Sequence, residues 1–196
     1  MFYRTAISAL LIAAALSAFQ TAGAQSPAAP LASPQQPLAA EKNPPGDIPD
    51  NQAFVAFKSP LGFAVKVPEG WARRELASGV SFSDKYNELQ VAVAPAATAP
   101  TLAALQAGDI AMLQKSPKAV RVVGVKPITL PAGKALVVHY AANSDPIPVT
   151  NKAIRLDNAR YYFWKAGKLA TLTVSAPAGA DNSDQWLLMA RSFGWQ

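Results

Sequence analysis

His139 is the only histidine in the chain, and histidine is the residue most often used as a general base near neutral pH. Catalysis would also need a carboxylate to orient His139 and a nucleophile for it to activate, and the nearest candidates in the sequence are Asp145 and Ser144. The chain has no Gly-x-Ser-x-Gly nucleophile elbow. We therefore interpret His139 as a structural or surface residue and rank a hydrolase last among the functions considered.

Metal binding has little support in the sequence. One histidine and no cysteine exclude the ligand sets typical of zinc and copper. The segment 181–184, Asp-Asn-Ser-Asp, offers oxygen ligands for calcium, but it lacks the glycine and the closing glutamate of a calcium loop. The same residues also stabilise the start of a helix. We predict no metal and no cofactor.

Basic and aromatic residues alternate between positions 155 and 164. In a strand Arg160, Tyr162 and Trp164 share one face, and Arg155 precedes them. Such a surface can stack on sugars and attract phosphate or carboxylate groups. Alternatively, one aromatic face belongs to the core and the arginines line a solvated edge. These four residues are our candidate binding surface. We do not expect nucleic acid as a ligand, because the chain carries no recognised binding motif.

The N-terminus has the pattern of an export signal. Arg4 precedes an apolar run over residues 6–19, and Ala22-Gly23-Ala24 fits a small-residue cleavage site. A run of about 14 apolar residues is shorter than the ~20 needed to span a bilayer. We interpret residues 1–24 as a signal peptide, which predicts a bacterial periplasmic or secreted protein with no stable membrane span after cleavage. Without cysteine, neither a disulfide nor a thiol-linked lipid can form.

Residues 25–52 hold seven of the 17 prolines among Ala, Gln and Ser. This composition predicts a disordered arm, because so little apolar surface cannot offset the entropy of ordering. Residues 53–196 form the single predicted domain, with 16 basic and nine acidic residues. A basic exported domain can meet anionic lipids, glycans or an acidic protein, or the charge can simply maintain solubility.

Alternating apolar residues and turn signals predict an antiparallel meander over 54–93. Residues 101–115 then predict an amphipathic helix with Thr101 as its N-cap. A hairpin is predicted at 120–142, with a bulge or a sheet edge at Pro127.

Three strands follow at 152–156, 160–165 and 168–175, the first two separated by a turn at 157–159. A final helix is predicted to follow, capped by Asp181 or Asn182. The predicted helix at 101–115 directs five apolar side chains at the core: Leu102, Leu105, Ile110, Met112 and Leu113. The resulting fold class is α+β, an antiparallel sheet covered by helices.

The stretch 62–71, Gly-Phe-Ala-Val-Lys-Val-Pro-Glu-Gly-Trp, resembles the opening of the PsbP-like family, which includes the photosystem II extrinsic protein and related bacterial proteins. The segments 80–84 and 91–93 and the ending 193–195 are also similar to that family. The resemblance implies an α/β/α sandwich and a non-enzymatic accessory role that depends on protein partners. We thus expect an exported accessory protein of the cell envelope. The alternative is a binder of a small anionic ligand, a glycan or a lipid headgroup.

Overall fold

The computed structural model describes residues 33–147 and 150–196. The signal peptide predicted for residues 1–24 therefore lies outside the described residues. The strands are β1 (Phe54–Ser59), β2 (Phe63–Pro68), β3 (Ala72–Leu76), β4 (Gly79–Ser83), β5 (Glu88–Pro95), β6 (Arg121–Leu130), β7 (Gly133–Asn143), β8 (Arg155–Lys165), β9 (Lys168–Pro177) and β10 (Gly194–Trp195). The helical segments are α1 (Leu102–Leu105), a π-helical turn (Gln106–Ile110), α2 (Ala111–Gln114) and α3 (Ser183–Ser192).

Seven strands form one antiparallel sheet in the order β3-β4-β5-β9-β8-β7-β6. A smaller sheet has the order β1-β2-β10 and is also antiparallel. The predicted α+β class with an antiparallel sheet is confirmed. Pro127 lies on β6, an edge strand of the large sheet, as expected for a residue that cannot donate a ladder hydrogen bond. The bulge in this strand lies at Val122–Gly124.

The two faces of the large sheet are covered by different elements. On one face the main core packs against the small sheet and α3, and the Phe193 ring stacks between Phe163 at 4.3 Å and Phe63 at 5.8 Å between centroids. On the other face Leu105 and Ile110 of the helical segment 102–114 form a second apolar cluster with side chains of β7 and β8. Helices thus lie on both sides of the sheet.

The turn predicted at residues 157–159 does not exist, because β8 runs unbroken from Arg155 to Lys165. Asn158 pairs with Tyr140 on one side and with Ser175 on the other. The turn preference of Asp-Asn is local, whereas two flanking strands satisfy the backbone of this segment throughout. Two strands therefore stand where the sequence predicted three.

The helix predicted at residues 101–115 forms with its predicted N-cap, since Thr101 Oγ1 accepts a hydrogen bond from Ala104 N at 3.1 Å. A π-helical turn interrupts its centre. The placement of Leu102 and Met112 in the core was wrong, because Leu102 is 39% exposed and Met112 is 72% exposed. A π turn holds more residues than an α turn, so a projection at 100° per residue loses the correct face beyond it.

Residues 33–52, the N-terminal strap, lie against the sheet end and α3. Ile48 is buried in the main core, and its backbone N donates to Asn182 Oδ1 at 2.7 Å. Asn182 Nδ2 donates to Gly46 O at 2.9 Å, and Leu38 N donates to Asn143 Oδ1 at 3.1 Å. For residues 33–52 these contacts differ from the disordered arm expected over 25–52, whereas residues 25–32 lie outside the described residues. Asparagine side chains satisfy the backbone of a segment that is too rich in proline to join a sheet.

Candidate binding site

The outer face of the large sheet carries two rows of polar side chains. Strand register places Tyr140, Asn158, Ser175, Glu88 and Ser83 in one row across β7, β8, β9, β5 and β4. The next row is formed by Arg160, Thr173, Gln90, Ser81 and Arg74. The apolar cluster beneath the helix draws its strand residues from β6, β7, β8 and the start of β9. The rest of this face, which we call the polar sheet face, lies outside both apolar clusters.

A groove of about 460 Å³ lies where the polar sheet face meets the end of α2. Its floor includes Asn158, Arg160, Thr173 and Ser175, and its rim is formed by residues from 113–120 and 142–145. This volume falls within the range of pockets that hold small ligands or short segments of a partner. The groove is thus the main concave feature of the polar sheet face.

Arg160 is held at the inner wall of the groove by three neighbours. Its Nη1 donates to Asp109 Oδ2 at 3.0 Å, its Nε donates to Thr173 Oγ1 at 3.1 Å, and its Nη2 donates to Tyr140 OH at 3.3 Å. Tyr162 also donates its hydroxyl hydrogen to Asp109. Asp109 lies in the π turn, so this turn joins the helix to β8.

Burial and charge act in opposite directions on this cluster. Burial disfavours the Arg160 cation, but Asp109 and the neighbouring tyrosines outweigh that effect and raise the pKa of Arg160. Burial first and the hydrogen bond to Asp109 second raise the pKa of Tyr162. Arg160 is therefore a cation with a carboxylate partner, and Tyr162 stays neutral at physiological pH.

The other cation of the groove is also paired. Lys118 Nζ lies 2.8 Å from Asp145 Oδ2. Glu88 has only a distant partner, Arg74 Nη2, at 4.0 Å, and its side chain is 41% exposed. Although the domain as a whole is basic, the groove itself offers no unpaired positive charge among the described residues.

The four candidate residues from the sequence do not form one surface. Arg155 is buried, and its Nη1 donates to Ala119 O and Asn143 Oδ1, both at 2.9 Å. Burial and the charge of Arg121 lower the pKa of Arg155. Arg155 thus holds the segment before β6 against the end of β7.

Tyr162 and Trp164 line a separate, largely apolar cavity of about 440 Å³ near Pro127. Trp164 Nε1 donates to Ala96 O at 2.8 Å. Of the four predicted residues, only Arg160 lines the polar groove.

His139 lies on the sheet face opposite Tyr140 and the groove, since adjacent strand residues point to opposite sides. Within the described part of the chain no hydrogen bond joins His139 to Ser144 or Asp145. Ser144 Oγ instead donates to Asp145 O at 2.7 Å and accepts from Ile154 N at 3.0 Å. The geometry gives no support to a catalytic triad.

The segment 181–184 contacts the N-terminal strap through Asp181 N, which donates to Asp47 Oδ1 at 2.8 Å. Among the described residues no group of three or more His, Cys, Asp or Glu side chains could hold a metal ion. No helix in the described ranges is long and apolar enough to cross a membrane.

Sequence reasoning missed Asp109, Glu88 and Asn158. Asp109 is the only acidic residue between 101 and 115, and an isolated carboxylate in an otherwise apolar helix can indicate a buried partner. Asn158 was assigned to a turn, so its place in a polar row was hidden. The position of Glu88 depends on strand order, for which the sequence holds no local signal.

Comparison with solved structures identifies the fold. The chain is similar to cyanobacterial PsbP (CyanoP) from Synechocystis sp. PCC 6803, at 15% sequence identity and a TM-score of 0.55, over 77% of this chain and 98% of that one. The Saccharomyces cerevisiae Ran-binding protein Mog1p matches at 12% identity and a TM-score of 0.49, over 74% of this chain and 96% of that one. LpqN of Mycobacterium tuberculosis, described as involved in cell envelope biogenesis, matches at 14% identity and a TM-score of 0.43, over 74% and 91%.

No known family profile matches the chain, and no curated protein matches it by sequence. The similarity to CyanoP spans nearly all of that protein, and the PsbP-like resemblance of the sequence is confirmed at the level of the fold. The chain has the PsbP-like fold.

Proposed function

We propose that this protein is an exported, non-enzymatic accessory protein of the bacterial cell envelope that acts by binding a protein partner through the polar sheet face. The observation that carries this proposal is the pair of polar rows on the large sheet, whose members other than Tyr140 lie outside both apolar clusters. A face of this kind presents hydrogen-bonding groups of both types and both signs of charge, which suits recognition of another protein.

Export is supported by the sequence alone. The basic start, apolar run and small-residue site within residues 1–24 predict cleavage after Ala24. N-terminal sequencing of the protein recovered from the periplasm or the medium should therefore begin at Gln25. An intact N-terminus in a cytoplasmic fraction would contradict this part of the proposal.

The second candidate function, binding of a small anionic ligand, receives less support from the geometry. Arg160 and Lys118 each have a carboxylate partner, and Arg155 is buried. An anion in the groove would have to compete with Asp109 and Asp145 for these cations.

Site-specific photo-crosslinking in intact cells tests the partner. A photoreactive residue in place of Gln90 lies in the groove, and the same residue in place of Leu188, which is 41% exposed on α3, serves as the control. We expect one reproducible envelope protein to be captured from position 90. Recovery of only the uncrosslinked monomer from both positions would refute the accessory role, whereas capture from position 188 alone would assign the role to a different surface.

A further inference from the structure

The floor of the groove holds polar groups that the fold does not use. Asn158 is only 8% exposed, and its Nδ2 donates to Tyr140 O at 3.3 Å and Leu156 O at 3.4 Å. Within the described ranges its Oδ1 accepts no hydrogen bond, and the side chains of Gln90 and Ser175 make none. All three side chains line the groove, and Gln90 and Ser175 are half-buried, so their free donors and acceptors are open to a ligand that carries both donors and acceptors.

The charge of the groove favours a cation over an anion. Asp109 neutralises Arg160, and Asp145 neutralises Lys118. Glu88 is left with a partner at 4.0 Å and a substantially exposed carboxylate. A positively charged group beside Glu88 would gain an ion pair, whereas a negatively charged group would meet repulsion from it.

The shape of the groove favours an extended chain. The row Tyr140–Asn158–Ser175–Glu88 crosses four adjacent strands, which is about 14 Å at the usual strand spacing. About four residues of extended polypeptide cover that distance. A sugar ring would need an open aromatic face, but the guanidinium carbon of Arg160 lies over the Tyr140 ring at 5.5 Å from its centroid.

We propose that the groove binds an extended peptide segment that carries a lysine or arginine. The cationic side chain pairs with Glu88, and backbone groups of the peptide bond with Asn158, Gln90 and Ser175. The inference deepens the proposed function and rests on it, because the segment is that of the protein partner. The recognition itself is a property of the isolated protein and can be measured without the partner.

Titration of the purified protein with short capped peptides tests the inference. One peptide is Ala-Ala-Lys-Ala, acetylated and amidated, and the comparison peptide has glutamate in place of lysine. We expect saturable NMR shifts at the backbone amides of Glu88, Asn158 and Ser175 with the lysine peptide. The glutamate peptide should bind roughly threefold to fivefold more weakly, as expected for loss of an exposed ion pair. Absence of a saturable shift, or equal affinity for both peptides, would overturn the inference.

Two variants, each of which removes one negative charge, distinguish an effect of Glu88 in the groove from a general effect of net charge. Glu88→Gln should abolish the preference for lysine over glutamate, whereas Glu75→Gln should retain it. Glu75 is 62% exposed beside Arg73 and points to the opposite sheet face from Arg74. Equal loss of preference in both variants would overturn the inference. If a partner is captured in cells but the peptides do not bind, only this inference is refuted. If the peptides bind but no partner is captured in cells, only the accessory role is refuted.

Discussion

Asp109 joins the helical segment to the sheet, because it accepts hydrogen bonds from both Arg160 and Tyr162. Tyr162→Phe should lower the free energy of unfolding by about 1.5–3 kcal/mol, the usual range for a hydrogen bond to a charged acceptor. Tyr161→Phe is the matched control. Tyr161 is similarly buried, and its hydroxyl makes no hydrogen bond within the described residues. Urea unfolding of both variants measures the difference, and equal losses would show that Asp109 adds nothing to the tyrosine contact.

His139 should make the stability of the fold depend on pH on the acid side. Burial first and the charge of Lys126 second lower its pKa from the ordinary value of 6.5. The unfolded chain then takes up a proton at a higher pH than the folded chain does. The contribution of His139 to stability is therefore complete above pH 6.5 and falls as the pH drops through the lowered pKa.

His139→Gln removes this group and should reduce the loss of stability between about pH 7.5 and pH 5.5. Urea unfolding at both pH values measures the loss in the variant and in the unaltered protein. An identical loss in the two proteins would show that other groups cause the acid sensitivity.

At the scale of single residues, the chemical type of a side chain is plain from the sequence, but its place in the fold is not. Residue types singled out Arg160 and Tyr162 but gave no sign that both bind Asp109, because that contact joins residues about 50 positions apart. Arg155 looked like a surface cation, yet burial is decided by the loop before β6, which no local pattern reveals. Burial of a charged residue needs partners that only the tertiary structure supplies.

At the scale of elements, two glycines offer the same substitution with opposite expected results. A Cβ added at Gly108, in the π turn, would meet no atom within 4 Å. Gly108→Ala should therefore stabilise the protein by about 0.5–1 kcal/mol, because alanine loses less backbone entropy in a helix.

Gly79→Ala should destabilise the protein by about 1–3 kcal/mol, in the range of other overpacked sites. Its Cβ would lie 2.1 Å from Val91 O and 2.9 Å from Ala92 Cα, both in the neighbouring strand β5. Thermal unfolding of both variants measures whether each substitution raises or lowers the stability of the protein. A stabilised Gly79→Ala protein would contradict the close approach of β4 and β5.

Most elements could be predicted from the sequence, because period-two alternation and turn residues mark strands independently of their partners. Two of the errors arise where the backbone is satisfied in a way that local sequence does not show. The turn expected at residues 157–159 is overridden by pairing on both sides of β8, and the helical stripe ending at Met112 is broken by a π turn. Local propensity is a weak signal wherever neighbouring strands or helix irregularities satisfy the backbone instead.

At the scale of the whole molecule, the N-terminal strap should contribute to stability. Burial of Ile48 accounts for about 1.5–3 kcal/mol, and the hydrogen bonds of Asn182 add to it. A chain that starts at residue 53 should melt roughly 5–10 °C below a chain that starts at residue 33, given 2–4 °C per kcal/mol for a domain of this size. Ile48→Ala in the longer chain should reproduce much of this difference. Equal melting temperatures would show that the strap contacts are energetically neutral.

The strap also shows what composition cannot predict. A proline-rich segment lacks the apolar surface to form its own core. Its order comes instead from Asn143 and Asn182, more than 100 residues away. The overall sandwich, by contrast, was predicted through the resemblance over residues 62–71, because turn and core residues carry the fold.

The ring of Phe193 stacks between those of Phe163 and Phe63, so this part of the core can form only after Phe193 has been synthesised. Phe63 is synthesised about 130 residues before Phe193. The strap likewise lacks its hydrogen bond to Asn182 until that residue has been synthesised. Until residues 193–195 have been synthesised, β2 therefore lacks the β10 pairing and the ring that covers it. The contacts of the strap with Asn182 and the pairing of β2 with β10 therefore form only after residues 182–195 have been synthesised, so the final packing of this domain depends on its last helix and strand.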